Sequence, residues 1–334
     1  MRRPLRIFLA VSLALGLAPG IVWRSPPPAP DSSQRIDYVR LPIPEGDAAR
    51  IGGAGSPVLT GAWRIESPNS QFGSYSALLP EGDDAFLSFS DQGGFLRAPL
   101  PGRRGKVEIG RALPGAGDFK QMQDIESATA DPASGRIWLG LEGRNAIIRM
   151  NRDLSHARVV QPRQMRSWPE NGGPESLLRL RDGRFLALAE SPFSWSRGRA
   201  SPGLLFPGDP LNGEEGLEFR FDPPEGYLPT DIKQLPDGRI LILLRGIGIA
   251  PPRFTAKLAL ADPADIREGE PWPWQEVGTI DRPLPLDNYE GLAITGGADG
   301  APLTLWIISD DNGGELLQHT LLLRLSWRVP PPAR

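Results

Sequence analysis

Eight acidic side chains and one arginine recur at two matching places along this chain of 334 residues. Glu126, Glu175, Asp231 and Glu290 each stand at the start of a short apolar run, at successive spacings of 49, 56 and 59 residues. Asp91, Glu142, Glu190 and Asp310 each close a second apolar run downstream, and Arg245 holds that place in its own copy. Carboxylates gathered in a low-dielectric setting repel one another and take up protons unless a positive charge neutralises them. Three solutions are open. A hard cation such as Ca²⁺ takes several oxygen ligands and suits such a set. Arg245 can serve as an internal counter-charge. The acids can also divide general acid and base work, or place metal ions that activate water on a phosphate ester. The plainer reading is that each acid accepts backbone N–H groups and pins its own turn. The candidate catalytic residues are Glu126, Glu175, Glu190, Asp231, Arg245 and Glu290; the candidate metal ligands are Glu126, Glu175, Glu290, Asp310 and Asp311.

Other motifs offer less. Asp310-Asp311-Asn312-Gly313-Gly314 is oxygen-rich but lacks EF-hand spacing, and Asn312-Gly313 equally suits a tight hairpin turn. His156 and His319 stand apart, with no HExxH pair. Gly52-Gly53-Ala54-Gly55 lacks the Lys and Ser/Thr of a phosphate loop, and no Gly-x-Ser-x-Gly elbow presents a serine nucleophile. Cysteine is absent, which removes disulfides, thiolate nucleophiles and thiolate metal sites. No nucleotide or redox cofactor is expected. A net charge of −3 and a pI near 5.6 carry no electrostatic footprint for nucleic acid. In the segment SPFSWSRGRASPG, Trp195 with Arg197 and Arg199 suits an anionic small molecule such as a phosphate ester, or packs against its sheet.

The elements that must position the acids read as short strands. Gly 39 and Pro 37 leave few stretches long enough for a helix. The clearest copies of the repeat, Pro174–Ser191 and Pro229–Gly246, both centre on Asp-Gly-Arg (Asp182-Gly183-Arg184 and Asp237-Gly238-Arg239). Asp-Gly between apolar runs signals a hairpin, because glycine accepts the positive φ of a tight turn. Looser copies begin near Tyr75, Asp124 and Asn288. A period near 50 residues with two to four strands points to propeller blades. The second strands, such as Ile240–Leu244, are continuous apolar runs, as expected where each sheet is covered on both faces. The fold predicted is an all-β propeller of about six blades, with a β-sandwich as the alternative. Its sixth blade would join an N-terminal strand to one from Gln318–Trp327. Equivalent points of successive blades surround one axis, so the acids would converge at one end of a central channel.

Residues 1–23 read as a signal peptide or membrane anchor, with Arg2, Arg3 and Arg6 ahead of an apolar run of 17 residues from Ile7 to Trp23. Residues 24–34 form a Pro/Ser-rich linker, 35–328 the domain and 329–334 a tail. Export to the periplasm, or a tether on the outer face of the inner membrane, is the expectation.

At these same motifs the chain resembles the phytase-like family known as "esterase-like activity of phytase". The matching pieces are FGSYSAL (Phe72–Leu78), DIES (Asp124–Ser127), GGPESL (Gly172–Leu177) and LALAES (Leu186–Ser191). They continue with PTDIKQLPDGRILILLR (Pro229–Arg245), NYEGLAI (Asn288–Ile294), LWIISDDN (Leu305–Asn312) and QHTLLLRL (Gln318–Leu325). The resemblance implies an exported bacterial protein hydrolysing phosphate esters, with the family's acids falling on Glu126, Glu175, Glu190, Asp231, Glu290, Asp310 and Asp311. The motifs of the calcium-dependent propeller phytases are absent, so phytate is not implied as substrate, and "esterase" does not imply a serine hydrolase. Two functions follow as expectations: a metal-assisted phosphoric ester hydrolase, or a non-catalytic propeller that binds a ligand or envelope partner.

Overall fold

The computed structural model describes residues 30–113, 123–169, 172–190, 200–249, 252–297, 300–313 and 318–331. The predicted signal or anchor, the loop holding Trp195, Arg197 and Arg199, and residues 332–334 of the tail lie outside them. Among the described residues the helices are 3-10 turns of three or four residues, and no helix is long and apolar enough to cross a membrane.

Among the described residues, twenty-one strands build five antiparallel sheets. The chain opens with β1 (Asp37–Arg40) and β2 (Val58–Glu66). Blade 1 then follows as β3 (Tyr75–Glu81), β4 (Ala85–Ser90), β5 (Gly94–Pro99) and β6 (Glu108–Arg111). Blade 2 is β7 (Ile125–Asp131), β8 (Arg136–Leu141), β9 (Ala146–Asn151) and β10 (Arg158–Val160). Blade 3 is β11 (Ser176–Arg179), β12 (Phe185–Leu188), β13 (Ser201–Phe206) and β14 (Leu217–Phe221). Blade 4 is β15 (Tyr227–Gln234), β16 (Ile240–Ile249), β17 (Pro252–Ala261) and β18 (Trp274–Ile280). Blade 5 takes β19 (Asn288–Gly296), β20 (Leu303–Asp310) and β21 (Leu321–Trp327), and completes itself with β2 and β1 from the start of the chain. The first strand of every blade lies innermost, and β3, β7, β11, β15 and β19 contact one another in that order around the axis, β19 returning to β3.

The propeller has five blades, not the predicted six. The N- and C-terminal strands do close the ring together, but inside the blade begun by Asn288. β21 pairs directly with β20 (Leu303↔Trp327) and then with β2 (Val58↔Ser326), so the five strands form one sheet. Dividing length by period counted those strands as a separate blade.

The two Asp-Gly turns are hairpins as expected. Gly183 and Gly238 sit at φ of 93° and 97°, and their N–H groups close back onto Leu180 and Leu235 carbonyls at 3.0 Å each. The continuous apolar runs are explained by burial on both faces. In β16, Leu241 and Leu243 enter the layer shared with blade 5, while Ile240, Ile242 and Leu244 enter the layer shared with blade 3. One such apolar layer fills each of the five gaps between blades. At roughly 1.5–3 kcal/mol for each fully buried large aliphatic side chain, these layers hold the blades in register and place the tips of the inner strands side by side.

Candidate functional site

The inner strands do not start smoothly. The pairing of the first two strands slips by one residue at Ser76, Glu126, Thr230 and Glu290, each the extra residue of a β-bulge. Glu175, directly before β11, takes the same place in blade 3, since Ser176 pairs with Leu188 as Ser127 pairs with Gly140. A bulge re-aims a side chain out of the alternating pattern of its strand. Glu126, Glu175 and Glu290 are thereby equivalent, as predicted.

Asp231 lies one residue further on and leaves this ring. It is fully buried. Its carboxylate accepts the Ile232 and Leu292 N–H groups at 2.7 Å each and pairs with Lys233 Nζ at 2.5 Å. Burial raises its pKa to about 6 against the pull of Lys233. It ties inner strands β15 and β19, while the true counterpart of the three glutamates in blade 4 is Thr230.

The ends of the second strands also correspond. Glu142 and Glu190 follow β8 and β12, Asp310 ends β20 opposite Asn288, Arg245 stands opposite Leu228, and Asp91 follows β4. Two groups of carboxylates come together there. Oxygens of Asp124, Glu126 and Glu142 lie within 4.8 Å of one another, and so do those of Glu142, Glu175 and Glu190. Glu142 belongs to both. The GGPE segment makes this approach feasible: a side chain on Gly173 would come within 2.6 Å of Glu142 Cα, and one on Gly172 within 2.1 Å of the Glu190 carbonyl oxygen.

Arg245 closes the other side. Its guanidinium binds Glu190 through Nη2 and Glu290 through Nη1 at 2.8 Å, and Nη1 also reaches Asn288 Oδ1 at 3.2 Å. Asn288 in turn donates to Glu290 at 2.8 Å and Asp310 at 3.2 Å. Asp124 and Asn288 were not among the predicted site residues. Their signal was legible: Asp124-Ile125-Glu126 and Asn288-Tyr289-Glu290 share one spacing.

The electrostatics follow from crowding. Burial, then the negative charges of Glu290, Asp91, Glu142 and Asp124, hold Glu126 well above the usual carboxylate range. Glu175 is raised in the same way by burial and by Glu126, Glu190 and Glu142. Burial and Glu290 raise Asp310. Burial raises Glu290 too, against the pull of Arg245. Burial works against the charge of Arg245 but is outweighed by Glu290, Glu190 and Glu175, so the guanidinium keeps its proton.

Asp311 is placed differently from Asp310. One of its oxygens accepts the Ser74 and Gly313 N–H groups at 3.0 Å each, and the other accepts the Thr320 hydroxyl at 2.7 Å. It is a tie between blades 5 and 1. Asp311→Ala should therefore cost about 2–4 kcal/mol of stability and leave calcium stoichiometry unchanged. Thermal unfolding beside calorimetric titration checks both. His156 sits in the turn after β9, and His319 engages Asp287 and Ser309 through its backbone; neither enters the site.

A sequence model of the family described as "Phytase-like: Esterase-like activity of phytase" matches residues 70–313. The chain belongs to the phytase-like family. That span holds all five inner strands and every acid of the cluster. No curated protein matches this phytase-like chain. Among solved structures it is similar to a luciferin-regenerating enzyme, at 12% identity over 90% of this chain and 91% of that one, with a TM-score of 0.44. A chain of a nidogen/laminin complex matches at 11% identity over 76% and 86%, with a TM-score of 0.42. The WD40 propeller domain of Doa1 matches at 9% over 77% and 93%, with a TM-score of 0.39. Likeness at that level carries no weight for activity.

Proposed function

We propose that this phytase-like protein is an exported, metal-assisted hydrolase of phosphate esters, with Ca²⁺ as the cation. One observation carries the reading: two carboxylate groups sharing Glu142 sit at the end of the propeller axis, next to an arginine. The donor set fits a hard cation, because it is all oxygen and several-fold negative. A buried and unsatisfied atom points the same way. Ser76, only 1% exposed, occupies the bulge position between Glu290 and Glu126; its hydroxyl is near enough to ease the charge on Glu290, yet makes no hydrogen bond of good geometry.

Asp124, Glu126 and Glu142 would hold the cation. When bound, it would polarise a phosphoryl oxygen or lower the pKa of a water. Arg245 presents a planar, permanently charged guanidinium that matches two phosphate oxygens at once. Glu290, raised by burial against the pull of Arg245 and Asn288, is placed to hold a proton and pass it to a leaving oxygen. The basic and apolar start of the chain supports delivery to the periplasm or to the outer face of the inner membrane.

The test is turnover of p-nitrophenyl phosphate and bis-p-nitrophenyl phosphate with Ca²⁺ or with chelator. Calcium-dependent release is expected, and Glu290→Gln should lower kcat by about 100-fold or more. Release that ignores chelator, or none with either ester, would favour a propeller that only binds its ligand.

A further inference from the structure

The two carboxylate groups are not equivalent. Asp124, Glu126 and Glu142 approach one another on the side of blade 2. In the other group, Glu190 is already engaged by Arg245, whose second arm is held by Glu290. An arginine that grips two carboxylates supplies the positive charge a metal ion would otherwise bring, and it blocks one of the oxygens that ion would need. The blockade is also reversible in principle. Guanidinium binds a phosphate in the same two-point manner as a carboxylate, so an incoming phosphate group competes with Glu190 for it. Ser76 Oγ, buried and without a hydrogen bond of good geometry, stands beside Glu290, at the bulge between those of Glu290 and Glu126.

We propose that the site has two cation positions bridged by Glu142, and that Arg245 keeps the second one closed until a phosphate group is present. The first position uses Asp124, Glu126 and Glu142. The second uses Glu142, Glu175 and Glu190, and it fills when a phosphate draws Arg245 off Glu190. Arg245 is then both a phosphate contact and a gate, which links occupancy of the second position to the arrival of substrate. The inference rests on the cation-dependent reading above.

The experiment is a calorimetric Ca²⁺ titration of the full chain, alone and with saturating phenylphosphonate, a phosphoryl group that cannot be hydrolysed. One Ca²⁺ is expected without phenylphosphonate and two with it. Arg245→Met, which keeps the aliphatic stem and removes the charge, should bind two without phenylphosphonate. Glu190→Gln should bind one under both conditions, and it decides the matter together with wild type should Arg245→Met fail to fold. Equal stoichiometry in wild type with and without phenylphosphonate would overturn the gate while leaving the cation site standing. No Ca²⁺ bound by any form would overturn the cation site itself.

Discussion

Glu142→Gln is expected to abolish calcium binding at both positions, a loss of at least about 100-fold in apparent affinity. Glutamine keeps the shape and volume of the side chain while removing its charge, so the blade packing around it is undisturbed. Glu142 is the residue common to the two carboxylate groups. Affinity in an oxygen site follows the number and charge of its ligands, and loss of a mere outer partner of a metal ligand already costs about 10–100-fold. Glu175→Gln, by contrast, touches only the second group and should leave the first Ca²⁺ in place. Titration calorimetry separates these cases. Undiminished binding by Glu142→Gln would mean that calcium does not use this cluster.

Acid should stabilise the calcium-free protein, the reverse of ordinary acid denaturation. Glu126, Glu175, Glu290 and Asp310 are all raised, chiefly by burial, and Asp231 and Asp287 are pushed up to about 6. A carboxyl whose pKa is higher folded than unfolded binds more protons in the folded state. Stability then falls as pH rises from the unfolded value near 4 through the folded value. Lowering pH from 7.5 to 5.5 crosses the upper part of that window, and the ring takes up its protons as a coupled set. Each unit of difference corresponds to about 1.4 kcal/mol, and each kcal/mol moves the unfolding temperature by about 2–4 °C in a domain of this order. A rise in Tm of roughly 5 °C is therefore expected in chelator. Calcium at pH 7.5 should raise Tm as well, because it supplies the missing positive charge, and should add little at pH 5.5, where protons compete. Scanning calorimetry at the two pH values, with chelator and with Ca²⁺, checks this. A Tm that falls on acidification in chelator would show that the ring is not strained by its own charge.

The division between acids of the ring and acids of the scaffold was the least legible feature. Asp231 and Glu290 look alike in sequence, each opening an apolar run. They differ because the bulge in blade 4 falls on Thr230 and that in blade 5 on Glu290, and a shift of one residue sends a strand side chain to the other face. Asp310 and Asp311 are neighbours, yet Asp310 joins Asn288 while Asp311 is spent on Ser74, Gly313 and Thr320. No spacing rule separates them, since one partner that sets Asp311 apart, Ser74, lies just before blade 1, 237 residues away along the chain.

Much was nevertheless set by the chain read alone. The Asp-Gly turns, the double-faced apolar runs and the period near 50 residues follow from local rules, namely glycine's access to positive φ and the burial of both faces of a sheet. They determined a propeller and put acids at both ends of the first hairpin in blades 2, 3 and 5. Asp91, Glu142, Glu190 and Asp310 stand at or just past the ends of the second strands of their blades, and Arg245 stands within that of blade 4, because hairpin pairing carries register from the turn. What tertiary structure decided was how the blades meet. The ring closes at five because β2 hydrogen-bonds to β21, and the charges of Glu142, Glu175, Glu190 and Arg245 converge because Gly173 lets the start of blade 3 press against Glu142 of blade 2. Contacts between distant segments depend on closure of the whole ring, and no local pattern encodes that.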